Sequence, residues 1–329
     1  MKWMADIDIK GPENKINYNH SLFLTGSCFT EHIGNCLADY KFPVLQNPNG
    51  ILFDPISVCN SLQSYIDPKK YTTGDLFYLN DLWQSWQHHS MFSSMDEQAV
   101  LDTINQSQQR AHLFLKKADW MIITLGSSFS YRLHEERTPV ANCHRAPAQW
   151  FDKHLTGIEE ITTRLEETII KLKDFNPRLQ IIFTISPVRH LRDGVVDNNR
   201  SKARLIEAVH YMAGKYNHCM YFPAYELVID VLRDYRFYDV DLAHPNYAAT
   251  EFVFENFKEN YMEPSTLKLM EEVKKMVNAY RHRPFNPLTT PHQNFIKNSL
   301  LKARQLQQQL PQLDFSDQID YFNQSIVEA

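Results

Sequence analysis

The chain has 329 residues, of which 43% are apolar and 22% charged, and its 34 basic and 39 acidic residues give a net charge of -5. This length and composition suffice for a full globular core, so a disordered or fibrous protein is not expected. No long basic run occurs, which argues against a nucleic-acid-binding protein.

Features that would direct the chain to a membrane or out of the cell are not found in the sequence. No apolar stretch approaches the length of a transmembrane helix, and residues 1–17 alternate apolar with charged side chains, unlike a secretory signal. The five cysteines are scattered without a CxxC pair, which is typical of a reducing compartment and argues against a zinc ribbon. We therefore expect a cytoplasmic protein with neither nucleic acid nor membrane among its partners.

Continuous apolar runs and helical stripes alternate along the chain. Runs at 22–26, 120–126 and 180–186 predict strands buried on both faces, and 42–45 and 220–223 are shorter candidates. Apolar residues recur at helical spacing over 29–40, 158–172 and 205–212, which predicts helices there. This alternation predicts an α/β protein with a doubly wound parallel sheet and helices on both faces.

Two regions depart from this alternation. Residues 60–115 are less regular and are interpreted as an insertion that covers one end of the sheet. Residues 263–329 contain two charged amphipathic helices, at 265–280 and 292–309, and are interpreted as a C-terminal helical extension of an α/β domain over 1–262. The extension is a candidate surface for homo-oligomer formation.

Ser27 stands where the first predicted strand gives way to a helix. Parallel strands bring their carboxyl ends to the ligand-binding edge of a sheet, and a helix N-terminus there favours negative charge. A serine at this position either caps the helix or, given a base and an oxyanion site, acts as a nucleophile. On this feature alone the cap is the commoner role.

A second motif supplies a candidate base. Asp241 and His244 form an Asp-x-x-His motif, in which the carboxylate can orient the imidazole across one turn. Pro245 suits the first turn of the helix predicted over 246–257, which fixes the loop before it. Ser27, His244 and Asp241 therefore form a candidate catalytic triad.

The order of these motifs resembles that of SGNH, or GDSL-like, hydrolases, in which a strand–Gly–Ser motif opens the domain and Asp-x-x-His closes it. The flanking residues resemble the GSCFA family, an uncharacterised group that is similar to an SGNH branch. Four separated segments over roughly residues 1 to 260 carry this resemblance, at 24–34, 46–55, 123–128 and 186–192. The resemblance implies a three-layer α/β/α fold of flavodoxin-like, SGNH-hydrolase type.

The resemblance also implies an oxyanion hole. SGNH hydrolases build it from the serine N–H, a glycine N–H after the second strand and an asparagine side chain after the third. Ser27 and Gly50 match the first two donors, whereas Ser128 stands where the asparagine is expected. Loss of one donor costs about 3 kcal/mol of transition-state stabilisation. Asn142 is the alternative third donor, and the histidines at 88 and 89 are further candidates.

Other polar residues could contact a substrate. Arg189 and His190 follow a predicted strand at the same edge of the sheet, although a loop of solvated charges is an equal alternative. His88 and His89 cluster with two tryptophans, which suits either a sugar-stacking lid or satellite packing. We find no His-x-x-x-His pair, Walker motif or dinucleotide fingerprint, so we expect neither a metal nor a cofactor.

These features favour a serine ester hydrolase that cleaves a small acyl ester of a small molecule or glycan, with O-acetyl on a carbohydrate as one candidate. An acyltransferase that uses the same triad is one alternative. A non-catalytic ligand-binding protein on a decayed hydrolase fold is the other. The missing asparagine favours this last alternative, and the complete set of Ser27, Asp241 and His244 argues against it.

Overall fold

The structure is a computed structural model and describes residues 4–327. Ten strands and ten helices are named here in chain order. They are β1 (Leu22–Gly26), α1 (Cys28–Asp39), β2 (Val44–Gln46), α2 (Pro55–Ile66), β3 (Phe77–Leu79), β4 (Leu82–Gln84), α3 (Glu97–Leu115), β5 (Trp120–Leu125), β6 (Phe129–Leu133), β7 (Pro139–Val140), β8 (Phe151–Leu155), α4 (Ile158–Phe175), β9 (Gln180–Ile185), α5 (Val195–Lys215), β10 (Cys219–Tyr221), α6 (Ala224–Glu226), α7 (Tyr247–Tyr261), α8 (Pro264–Arg281), α9 (Thr290–Gln309) and α10 (Ser316–Ser325). A π-helical turn, Leu227–Leu232, continues α6.

Five parallel strands form the central sheet, in the order β10-β9-β5-β1-β2. Leu22 pairs with Val44 on one side of β1 and with Trp120 on the other. This is the flavodoxin-like strand order, in which the direction of winding reverses between β1 and β5. The predicted three-layer α/β/α fold is confirmed.

Alternate side chains along the central strands pack into two separate apolar cores, one on each face of the sheet. Leu22, Leu24 and Ile122 face the layer that contains α1 and α7. Phe23, Met121 and Ile123 face the layer that contains α2, α3, α4 and α5. Both faces are covered, which explains why these strands read as continuous apolar runs.

The region 60–115 is more regular than the sequence suggested. Helices α2 and α3 contribute Val58, Leu62 and Leu115 to the second core, so they belong to the α/β layers rather than to an insertion. The segment between these helices holds a hairpin of β3 and β4. Its two turn residues, Asn80 and Asp81, both have positive φ angles, as a tight hairpin turn requires.

A second, small antiparallel sheet follows β5, with the order β7-β6-β8. The sequence did not predict it, because its strands are short and mix polar with apolar residues. It carries the chain away from the central sheet directly after Ser128.

The C-terminal helices are part of the first core. Met270 of α8, Ile296 of α9 and Phe322 of α10 are buried in the same apolar cluster as α1 and α7. A bidentate salt bridge from Arg281 to Asp39 also ties α8 to α1. The extension is therefore continuous with the α/β core. Over residues 4–327, every helix is too short or too polar to cross a bilayer.

Candidate active site

Ser27 lies at the carboxyl end of β1, beside the point where the sheet reverses its winding. Gly26 before it has a φ of 135°, and a Cβ on Gly26 would lie 2.0 Å from the Thr124 carbonyl oxygen, so only glycine fits there. Ser27 is the N-cap residue of α1, but its side chain makes no capping hydrogen bond. Its hydroxyl is buried and finds no hydrogen-bond partner among residues 4–327. Capping therefore does not explain this serine.

Asp241 and His244 pair directly. Nδ1 of His244 lies 2.6 Å from Oδ2 of Asp241, and the other carboxylate oxygen accepts the backbone N–H groups of Ala243 and His244. These N–H groups, together with the ring, lower the pKa of the Asp241 carboxyl to about 2. Since a carboxylate only accepts hydrogen bonds, Nδ1 carries a proton and Nε2 of the neutral ring is left as an acceptor. Both side chains are about half exposed.

The loop that carries this pair is anchored to the carboxyl end of β9. The Arg189 N–H donates to the Ala243 carbonyl at 3.0 Å. The guanidinium of Arg189 also lies 4.5 Å from the centre of the Tyr238 ring. Arg189, predicted as a substrate contact, is thus engaged in holding the Asp241–His244 loop in place.

His190 follows β9 at the same edge of the sheet, and its ring packs edge-on against Phe53. Burial, followed by the charge of Lys202, lowers the pKa of His190 to about 4, and the Gly126 carbonyl and His244 also act on it. Gly126 in turn contacts Ser27, because a Cβ on Gly126 would lie 3.3 Å from that of Ser27. In this conformation the side chains of Ser27 and His244 do not share a hydrogen bond.

The predicted oxyanion N–H groups are both engaged. The Ser27 N–H donates to the Thr124 carbonyl at 3.0 Å, and the Gly50 N–H donates to the Asn47 carbonyl at 2.7 Å. An oxyanion could use either group only after a local rearrangement.

The two alternatives for the third donor differ in their surroundings. Ser128 is fully buried, and its hydroxyl has no partner within the described part of the chain. Asn142 uses its side-chain oxygen to accept the N–H of His144 in a local turn. The backbone N–H of Asn142 donates to the carbonyl of Trp86. The two contacts therefore hold Asn142 near Trp86 and His144.

Asn47 is a polar residue of this site that the sequence did not single out. Its Oδ1 accepts the Gly26 N–H at 2.9 Å, which fixes the orientation of the amide. The NH₂ group of the same amide is buried, and it has no acceptor between residues 4 and 327. A free amide donor therefore lies beside the residue that precedes Ser27. Nothing in the local sequence pattern marks it, because the contact depends on β1 and β2 being neighbours.

The two histidines predicted to contact substrate lie in different environments. His88 is fully buried against Tyr71 and Phe92, and its burial lowers its pKa to about 3. This burial makes His88 a packing residue rather than a substrate contact. His89 is half-buried and lies against Gly50, where a Cβ on the glycine would come within 2.2 Å of the His89 Cβ. His89 therefore lies at the site and could still reach a ligand.

Lys202 donates hydrogen bonds to backbone groups that border the candidate site. Its ammonium donates to the carbonyls of Gly126 and Ser186, each at 2.6 Å, and these residues follow β5 and β9. The side chain is buried, which lowers the pKa of the amine to about 7. The sequence does not indicate this role of Lys202, because its two partners follow distant strands.

Comparison with known families identifies the chain. Residues 21–257 match the model of the GSCFA family, and residues 273–328 match the model described as the GSCFA domain protein, C-terminal domain. The chain belongs to the GSCFA family. No curated protein matches it. The first GSCFA match contains Ser27, Asp241 and His244, and the second covers most of the helical extension.

Proposed function

We propose that this GSCFA protein is a serine ester hydrolase in which Ser27 is the nucleophile. The observation that carries the proposal is the Asp241–His244 pair. It presents an oriented imidazole in a loop that Arg189 anchors at the sheet edge where Ser27 lies. An uncapped, buried hydroxyl without a partner is costly, by about 1–3 kcal/mol, which favours a functional reason for Ser27.

The proposed reaction has two steps. The Ser27 hydroxyl attacks the ester carbonyl while Nε2 of His244 takes its proton, and Asp241 stabilises the imidazolium that forms. The alcohol leaves with that proton, and water then releases the acyl group from Ser27 by the same route. This requires Ser27 and His244 to approach each other, and catalytic hydrogen bonds of this kind often tighten only with substrate bound.

The oxyanion is the second requirement of this chemistry. Ser27 lies at the N-terminus of α1, whose first N–H groups and dipole favour negative charge. The free NH₂ of Asn47 supplies a further donor beside Gly26. We propose Asn47 in the role that the resemblance gives to an asparagine after the third strand.

The surroundings of Ser27 favour a small acyl group. Ser27 is buried, and a Cβ added at Gly126 would lie within 3.4 Å of both the Ser27 Cβ and the Phe53 ring, so the surroundings of Ser27 are tightly packed. Acetyl on a carbohydrate remains the substrate class that we propose for a first assay. An acyltransferase would use the same residues and differ only in its acceptor.

One observation favours a non-catalytic binding protein instead. Both predicted oxyanion N–H groups are engaged, and the Ser27 hydroxyl is closed off in this conformation. A protein locked in this state would bind a ligand at the sheet edge without attacking it.

Labelling with a fluorophosphonate probe separates these two functions. We expect the probe to modify Ser27, identified by peptide mapping, and labelling to be lost in Ser27→Ala and His244→Ala. His282→Ala changes an exposed histidine outside the site and serves as the control. If the folded wild-type protein is not labelled, or is labelled equally in His244→Ala, the hydrolase proposal fails.

A further inference from the structure

A group of three metal-ligand side chains lies on the α1 and α7 layer, away from the sheet edge. His32 and Cys36 are one turn apart on α1, and Glu251 projects from α7. One ligand atom from each residue lies within 4.8 Å of the other two, and no other such group occurs within residues 4–327. The sequence analysis predicted no metal site, although His32 and Cys36 are four residues apart and so share one face of a helix.

The spacing of these atoms suits a tetrahedral metal ion. Nε2 of His32 lies 3.7 Å from Sγ of Cys36. Zinc bonds of about 2.05 Å to nitrogen and 2.3 Å to sulfur at a tetrahedral angle give a separation of about 3.6 Å. Two ligands are therefore already in place, and only a small movement of the Glu251 side chain completes the set.

The ligand chemistry points to zinc. One imidazole, one thiolate and one carboxylate are ligands that zinc accepts, whereas magnesium and calcium prefer oxygen alone. A thiolate and a carboxylate would balance the two charges of the ion. Of the neighbouring charged groups, Asp39 bonds Arg281 and Lys258 bonds Glu255. The Lys274 ammonium also lines the cleft and lies 5.9 Å from the centre of the Tyr40 ring.

The position of the group allows an ion to enter. All three ligands are half-buried, and they line a cleft with a volume of about 330 Å³ between α1, α7 and α8. The cleft leaves room for a water molecule as a fourth ligand.

We propose that His32, Cys36 and Glu251 form a zinc site that joins α1 to α7. Helix α1 begins directly after Ser27, and α7 begins shortly after His244. The ion would therefore fix the relative position of the two helices whose N-terminal ends carry the proposed catalytic residues. The proposal rests on the ligand geometry and stands whether or not the protein is a hydrolase.

The site is tested by titrating the chelator-stripped protein with Zn²⁺ and measuring the heat of binding by calorimetry near neutral pH. We expect one equivalent of Zn²⁺ to bind. Changes to residues around a metal's ligands typically weaken binding 10- to 100-fold, so removal of a ligand should raise Kd by about 100-fold or more. The variants are Cys36→Ser, His32→Gln and Glu251→Gln. Cys143→Ser, which changes another half-buried thiol, should bind zinc as the wild type does.

Co²⁺ provides a second readout that does not depend on affinity. A thiolate ligand gives cobalt a charge-transfer absorption in the near ultraviolet, which Cys36→Ser should abolish and Cys143→Ser should retain. Circular dichroism of the metal-free variants checks that they fold. Absence of saturable zinc binding in the wild type, or wild-type binding by any folded ligand variant, would overturn the proposed site.

Discussion

At the carboxyl end of β1, two neighbouring side chains keep buried polar atoms without partners. The Ser27 hydroxyl and the Asn47 NH₂ are both enclosed, and neither has a hydrogen-bond partner in the described 4–327 range. Folded proteins rarely leave such groups unpaired, since each costs about 1–3 kcal/mol. A substrate carbonyl that entered between them would meet a nucleophile and a donor at once.

Asn47→Asp tests the donor role of the amide. Aspartate keeps an acceptor for the Gly26 N–H and tolerates the positive φ of this position, but it lacks the NH₂ group. We expect the rate of fluorophosphonate labelling to fall by about 100- to 1,000-fold, as for the loss of one oxyanion donor.

Asn142→Asp is the matched comparison, because it makes the same chemical change at the other asparagine. We expect it to label at close to the wild-type rate. A normal rate in Asn47→Asp together with a strong loss in Asn142→Asp would reverse the assignment. Thermal melts of both variants distinguish lost chemistry from lost folding.

The sequence predicted the contacts of some site residues and missed those of others. The Asp241–His244 contact is local, so the spacing alone indicated it, and the two side chains do pair. Asn47 and Lys202 act through backbone groups of strands that are distant in sequence. No motif encodes such contacts, because they exist only once the strand order is known.

At the scale of elements, the ends of β5 and β9 are joined by a single buried amine. Lys202 donates to the carbonyls that follow each strand, and these two strand ends carry Gly126 and the loop with Arg189 and His190. The amine therefore sets the spacing of the two strand ends that frame the candidate site.

The pH dependence of stability should report this amine. Burial lowers the pKa of Lys202 to about 7 in the folded protein, against 10.5 as its ordinary value. Between these values the unfolded chain binds more protons, so the contribution of Lys202 to the free energy of unfolding rises with pH. We expect wild type to gain about 1 kcal/mol per pH unit relative to Lys202→Met above pH 7, measured by urea unfolding.

Lys70→Met removes an exposed lysine and should show no such trend. A wild-type to Lys202→Met difference that stays constant from neutral to alkaline pH would mean that the buried amine keeps its proton in the folded state.

Strands were predicted accurately where their apolar sequence pattern was strong. The central strands are uniformly apolar, so β1, β5 and β9 were located to within about a residue at their ends. The β3–β4 hairpin was missed although Asn80-Asp81 between two aromatic-rich runs is a turn signal. Strands β6, β7 and β8 lack any clear alternation, and their pairing depends on the tertiary fold.

At the scale of the whole molecule, the two regions that match the GSCFA models contribute residues to one apolar core. Phe315, before α10, is fully buried, and Lys41 from the loop after α1 lies 5.8 Å from the centre of its ring. The α/β layers and the helical extension should therefore unfold together.

Phe315→Ala tests this cooperativity. We expect a loss of about 3–5 kcal/mol in the free energy of unfolding, because a large side chain is removed from a packed site. All five tryptophans lie at or before residue 150, so a shift of the tryptophan fluorescence transition would show that the α/β layers respond to a change in the extension.

Phe285→Ala is the control, because Phe285 is fully exposed and its loss should change the free energy of unfolding by less than about 0.5 kcal/mol. An unchanged tryptophan transition in Phe315→Ala would indicate that the extension unfolds on its own.

The shared core also has a consequence for synthesis of the chain. Phe322 and its neighbours, which complete the apolar layer over α1 and α7, are synthesised after all the strands of the central sheet. Until they emerge, the nascent chain carries an uncovered apolar surface on one side of its sheet. The first core can therefore be completed only after α10 has been synthesised, and until then the chain is a natural client for a chaperone that binds exposed apolar helices.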